Sequence, residues 1–174
     1  MDARIQQTRQ ALYGAFFTLV LKQRYHSIRM DALLKLAGVA RSTFYEHFRS
    51  KDELLAASLQ GPLAILATAP FPWADHGRLS AILQHFHDNR ALAPGIFSGP
   101  ARRIVDRVLA ELIEAGIRRE RAPFLSISPR LAAQLLAQLL LGAVVDWLDG
   151  REPISADRLA LTLRQSAGAL LASL

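Results

Sequence analysis

Apolar residues recur at helical spacing along nearly the whole chain, and no stretch alternates with the two-residue period of a half-buried strand. Ile5, Leu12, Phe16 and Leu19 stand seven, four and three residues apart, with Ala11, Ala15 and Val20 widening the stripe. Arg4, Gln6, Gln7, Arg9 and Gln10 supply the polar side. Runs of alternating Val, Ile and Thr are absent, and so is the Asn-Gly pair of a tight hairpin. A chain patterned this way is expected to be all-α, because on strands half of the same apolar set would face water.

Local stop and start signals divide the pattern into eight or nine helices. The first is predicted to end near Gln23, with Tyr25 to Arg29 as a short connection. Met30, Leu33, Leu34 and Ala37 share one face of a two-turn helix that stops at Gly38, where helix ends favour a left-handed residue. Arg41 to Phe48 forms a third helix. Ser50 and Glu53 then make a capping box that opens a fourth through Leu54, Leu55 and Leu59. Gly61-Pro62 is expected to break or kink it, since proline lacks the donor and crowds the preceding turn.

Pro70, Pro72 and Gly77 mark a loop around Trp73, and a helix from Leu79 to Arg90 follows. Ala93 to Pro100 reads as a second loop. The helix after it reaches Arg119, with Ile104, Val108, Leu112 and Ala115 as its inner stripe. Arg107–Glu111 and Glu114–Arg118 are outer ion pairs at i,i+4. Ser128-Pro129 opens an apolar helix to Asp149, ended by Gly150, and Ser155 caps a last one to about Ala172.

Composition narrows the function classes. Of 174 residues, 51 % are hydrophobic and 21 % charged, which suits a buried core and excludes a disordered tail. Residues 1–50 hold eight Lys/Arg against three Asp/Glu, whereas the rest holds thirteen against twelve. Nearly all of the formal +6 therefore sits in the first 50 residues, as befits a surface for polyanions. The chain has no cysteine, which excludes disulfides, thiolate metal sites and thiol nucleophiles. Asp2, Arg4 and Arg9 precede any apolar density, so the start does not resemble a signal peptide, and a cytoplasmic location is expected. Leu131 to Leu148 is long enough to span a bilayer, yet it carries Gln134, Gln138 and Asp146. The expectation is no membrane partner, with this segment inside a soluble core or an oligomer.

The second helix, the Gly38 turn and the third helix have the spacing of a helix-turn-helix, whose second helix enters the major groove of double-stranded DNA. Arg41, Ser42 and Thr43 lie at its start, where an arginine reaches guanine and the hydroxyls reach base edges. Tyr45, His47 and Lys51 come slightly later, where their donors suit phosphates. Phe44 and Phe48, four apart, face inward towards Val39 and the first helix.

Leu33 to Leu55, Leu-Leu-Lys-Leu-Ala-Gly-Val-Ala-Arg-Ser-Thr-Phe-Tyr-Glu-His-Phe-Arg-Ser-Lys-Asp-Glu-Leu-Leu, resembles the DNA-binding signature of the tetracycline-repressor (TetR) family. With the preceding helix the resemblance covers about residues 3–56. It implies a homodimeric, usually repressing transcriptional regulator whose head binds palindromic operators and whose variable helical body binds a small molecule. Carried over by position, it places Arg41, Ser42 and Thr43 at bases and Tyr45, His47 and Lys51 at phosphates. The chain departs from the family at two caps, with Arg29 and Ala40 where Ser or Thr is usual. A lost cap costs about 0.5–2 kcal/mol. Ser27 stands near enough to replace the first, and bare helix starts also suit phosphate oxygens. Arg29 adds a charge for a phosphate contact. Only Met1 to Ala3 precede the first helix, so little minor-groove reading is expected.

These observations divide the chain into a helix-turn-helix domain at residues 1–50 and a ligand-binding and dimerisation domain at residues 51–174. Trp73, Phe86, Phe97 and Phe124 either line a cavity for the small molecule or pack as core. Leu131, Leu135, Leu139 and Trp147, with Leu159 and Leu163 on the last helix, are the expected dimer interface. Gly142, Ala160, Ala167, Gly168 and Ala172 allow close approach there. Gly61-Pro62 is a candidate bend between head and body. His85 and His87 are two apart and diverge on a helix, so no metal site and no cofactor are expected. Glycine-rich phosphate loops, nucleophile elbows and His-Glu-x-x-His are all absent, which argues against an enzyme. The alternative to ligand release is a regulator with no small molecule, controlled by a protein partner or by abundance.

Overall fold

The computed structural model describes residues 3–120 and 125–174. Among them lie nine α-helices, two short 3-10 turns and no strand. The helices are α1 (Ala3–Lys22), α2 (Met30–Ala37), α3 (Arg41–His47), α4 (Lys51–Leu66), α5 (His76–Asp88), α6 (Ala93–Ile96), α7 (Gly99–Arg119), α8 (Pro129–Leu148) and α9 (Ala156–Ser173). The chain forms two compact units. One takes the described residues up to Leu59 together with Ala91–Ile104, and the other takes Gln60–Arg90 with the described residues from Val105 onward. The helix-turn-helix segment lies within the first.

In the first unit Leu12 and Phe16 of α1, Leu33 of α2, Phe44 of α3 and Leu54 and Leu55 of α4 are fully enclosed. Phe16 meets Tyr25 edge-on at 6.1 Å, and Phe44 lies 5.8 Å from Phe48. The short α6 packs on α1 where Gly95 has no side chain. A Cβ there would lie 2.4 Å from Val20 Cγ1 and 3.2 Å from the Val20 carbonyl oxygen.

In the second unit α5, α8 and α9 pack on one another. Leu79 and Leu83 of α5, Leu136, Leu140 and Leu141 of α8 and Leu163 of α9 fill the space between them. Side-chain caps start each helix where the sequence signals it: Ser128 Oγ accepts from the Leu131 amide at 3.2 Å and Ser155 Oγ from the Arg158 amide at 3.2 Å. Gly150 takes the left-handed conformation (φ +75°) beyond α8.

Four details depart from the sequence pattern. Gly61-Pro62 does not break α4, which continues to Leu66 because Leu63 and Leu66 beyond the proline are buried. Residues 93–100 are not a loop: α6 forms there with Pro94 in its first turn, and α7 already begins at Gly99. On α7 Ile104 and Val108 of the expected stripe are buried, with Val105, Leu109, Ile113 and Ile117 enclosed beside them, while Leu112 is half-buried and Ala115 exposed. Finally α5 begins at His76 rather than Leu79, because Asp75 accepts from the Arg78 amide at 3.1 Å.

Candidate nucleic-acid interface

Gly38 turns the chain between α2 and α3. Its φ of +65° is a conformation that a side chain disfavours, and its amide donates back to the Leu34 and Lys35 carbonyls. Ala40 is extended, and α3 starts at Arg41. Burial of Phe44 and Phe48 fixes the rotation of this seven-residue helix. Arg41, Ser42 and Tyr45 are consequently exposed, and Thr43 and His47 are half-buried. One short helix thus offers water a guanidinium, a hydroxyl and a phenol. That donor set suits base edges and phosphates.

The α2 and α3 starts carry no side-chain cap at Arg29 or Ala40, and Ser27 makes no substitute bond among the described residues. Their first amides therefore have no capping side chain. Arg29 stands exposed beside the first of these ends.

Two sequence-predicted contacts are occupied from within the protein. The Arg41 guanidinium forms an ion pair with Asp31, a residue of the α2 first turn. Lys51 Nζ donates to the carbonyls of Tyr25 (2.8 Å) and Ile28 (3.0 Å) and stands 4.5 Å above the Tyr25 ring. Tyr25 in turn donates its hydroxyl hydrogen to Asp52. Burial pulls the Lys51 ammonium below the usual lysine range, against the opposing charge of Asp52. Burial, reinforced by the bond and charge of Asp52, pushes the Tyr25 phenol well above the usual tyrosine range. Lys51 thus pins the 25–28 turn to the start of α4. The Ser50–Glu53 box is also offset: Ser50 Oγ accepts from the Glu53 amide at 3.1 Å, while the Glu53 carboxylate accepts from the Arg49 amide at 2.6 Å.

Sequence reasoning missed Asp31, Tyr25 and Asp52. The available signal was charge and donor complementarity across a turn, Asp31 with Arg41 and Tyr25 with the Lys51-Asp52 pair.

Of the four aromatic residues expected around a ligand, Trp73, Phe86 and Phe97 lie among the described residues. Trp73 stacks on Phe71 with centroids 5.2 Å apart, lies 4.4 Å beneath the Arg119 guanidinium and donates its indole hydrogen to Glu120 at 2.7 Å. It lines a cleft of about 190 Å³ with Ala64, Thr68, Leu112, Gly116 and Arg119. Phe86 is half-buried on α5 and is not among the residues lining that cleft. Phe97 belongs to the other compact unit, and Phe124 lies outside the described residues. Helical spacing fixes which face a residue occupies but not what that face meets.

The expected dimer residues divide as well. Leu131 and Leu135 are 44 % and 43 % exposed, and Leu139 and Gly142 continue their stripe along α8 half-exposed. Trp147, Leu159 and Leu163 are instead buried in the unit's own core, where the Trp147 indole donates to the Ile154 carbonyl at 2.8 Å. Among the described residues α8 is the one helix long and apolar enough to cross a membrane, and half of that stretch is buried within the protein. No cluster of three or more His, Asp or Glu residues able to hold a metal ion is present among the described residues.

Comparison with known proteins places this geometry. Residues 19–58 match the family model of bacterial regulatory proteins of the tetR family. The HTH-type transcriptional regulator YxbF of Bacillus subtilis (strain 168) is 38 % identical over 61 residues, which is 34 % of this chain and 16 % of that protein. The chain therefore matches about a sixth of that curated relative's length. A TetR transcriptional regulator from Streptococcus agalactiae superimposes with a TM-score of 0.60 at 25 % identity, covering 95 % of this chain and 96 % of that one. A TetR-family regulator from Streptomyces coelicolor gives 0.68 at 17 % identity over 96 % of both, a likeness of fold. That family is one of transcriptional regulators and not of enzymes. Residues 19–58 of the chain are thus similar to the bacterial regulatory proteins of the tetR family, and its described helices share the fold of solved regulators of that family.

Proposed function

We propose that this protein is a cytoplasmic, homodimeric repressor that binds a palindromic operator in double-stranded DNA and leaves it when a small molecule binds the body. The observation that carries the reading is the α3 face, where buried Phe44 and Phe48 leave Arg41, Ser42 and Tyr45 turned to solvent. Arg41, Ser42 and Thr43 read bases, and Arg29, Tyr45 and His47 hold phosphates. Lys51 contributes the one ammonium hydrogen it does not give to the 25–28 turn, so its role at DNA is chiefly to place Arg29.

The exposed Leu131, Leu135, Leu139 and Gly142 stripe supports a second copy packing along α8. Two heads then meet successive major grooves, about 34–36 Å apart. The Trp73 cleft is where the small molecule is to be sought, because an apolar lining with one guanidinium at its edge suits a compact, partly anionic compound. A ligand preferring the conformer with misplaced heads would shift the population away from the operator.

Titration of DNA from upstream of the protein's own gene, at increasing salt, tests the reading. Tight binding that weakens with salt is expected, with weaker binding to a random duplex whose affinity falls at least as steeply. Equal affinity for both duplexes at every salt concentration would refute it.

A further inference from the structure

We infer that Asp31 is a positioning residue for Arg41, holding the guanidinium at the start of α3 so that its contact discriminates between sequences while general affinity for DNA falls. The inference rests on the DNA-binding reading above. Asp31 is the second residue of α2 and Arg41 the first of α3, so the ion pair bridges ten positions across the Gly38 turn.

Three observations argue for orientation rather than stability. The pair is open to water, with side-chain exposures of 56 % for Arg41 and 84 % for Asp31, and exposed pairs of this kind stabilise a fold little. The Asp31 carboxylate pairs across the turn and not along its own helix: Lys35, one turn along α2, makes no ion pair with it among the described residues. A carboxylate at a helix start does complement the macrodipole, but that needs only its charge and not a partner on the next helix. The pairing itself is what remains to be explained.

The chemistry of the two groups supplies the explanation. Guanidinium has five N–H donors in a rigid plane. Asp31 engages one terminal nitrogen and leaves the remaining donors for the paired acceptors on a guanine edge. A tethered arginine has fewer rotamers in which to reach a nearby phosphate, the contact that every sequence offers. The acid also repels the phosphates of any duplex, which lowers affinity for wrong and right sequences alike. The uniform repulsion cancels from the ratio between sequences, and the restricted direction is what favours the one sequence that rewards the held geometry.

The test uses duplexes selected by the wild-type full chain from a random library, against scrambled duplexes of the same composition. Asp31→Asn should bind scrambled DNA more tightly and lower the selected-to-scrambled affinity ratio about tenfold, the scale of coupling between touching residues. In an Arg41→Ala background the same change should leave the ratio unaltered, and Asp31→Glu should restore most of it. Thermal midpoints within a degree or two of wild type are expected throughout, on the small worth of exposed pairs. An unchanged ratio in Asp31→Asn, or an equal fall with and without Arg41, would overturn the inference alone. Failure of the wild-type protein to enrich any duplex would overturn both this inference and the DNA-binding reading.

Discussion

Lys51 and Arg41 are both cations in the helix-turn-helix segment, and their surroundings assign them different work. Lys51 gives two hydrogens to the Tyr25 and Ile28 carbonyls, so Lys51→Met takes the ammonium donor from the Ile28 carbonyl and leaves the Tyr25 carbonyl with the Ile28 amide alone. The expected loss is about 1–3 kcal/mol of folding stability in urea titrations, the usual cost of stranding a buried polar group. Arg41→Ala should leave stability nearly unchanged. It should reduce discrimination between selected and scrambled duplexes by about 1–3 kcal/mol in equilibrium binding. Tyr25 predicts a pH dependence. Its raised pKa means that the folded state keeps a proton the unfolded chain releases above the ordinary tyrosine value of about 10. Its contribution is therefore complete below pH ~10 and lost as pH climbs beyond it. Lys51 acts with the opposite sign just below the ordinary lysine value, since there the unfolded chain holds more protons. Stability measured at stepped alkaline pH should therefore fall less steeply in Tyr25→Phe than in wild type; parallel curves would remove Tyr25 from the account. The motif made Arg41 legible in the sequence because its spacing repeats a known arrangement. Asp31 and Asp52 were not legible, since exposed or partnered acids carry no periodic signal and their partners lie across turns.

At the scale of elements, signals confined to a few neighbouring residues were readable. Gly38, Ser128 and Ser155 each do locally what their residue type allows, and the helices beside them begin or end there. Features decided by distant packing were hidden. Pro62 sits inside α4 because Leu63 and Leu66 are buried, and α6 forms because α1 is there to receive it. The second half of the α7 stripe was misplaced because Leu112 and Ile113 are adjacent and equally apolar, and Ile113 is the enclosed one. The α1–α6 packing depends on Gly95. Gly95→Ala brings a Cβ against Val20, whose side chain can rotate aside while its carbonyl oxygen stays 3.2 Å away. Thermal unfolding should show a loss of about 1–3 kcal/mol, the range for overpacking. A neutral substitution would mean that α6 does not lie on α1 as described.

At the scale of the whole molecule the helical periodicity did establish an all-α chain among the described residues. Packing divides the residues expected at a dimer interface. Leu131, Leu135 and Leu139 share a side of α8 turned to solvent, whereas Trp147, Leu159 and Leu163 share an apolar character but point into their own unit. Sequence shows that a helix is apolar all round; only packing shows which side is already covered. Replacing Leu131 and Leu135 together by Gln should convert a dimer into a monomer in sedimentation equilibrium while the helical circular dichroism is retained. On the proposed function two such heads read DNA as a symmetric pair. Selection of duplexes from a random pool by the full chain checks this. Enrichment of an inverted repeat whose half-sites lie about one helical turn apart or modestly more is expected. Enrichment of no sequence, or of a single unrepeated element, would contradict it.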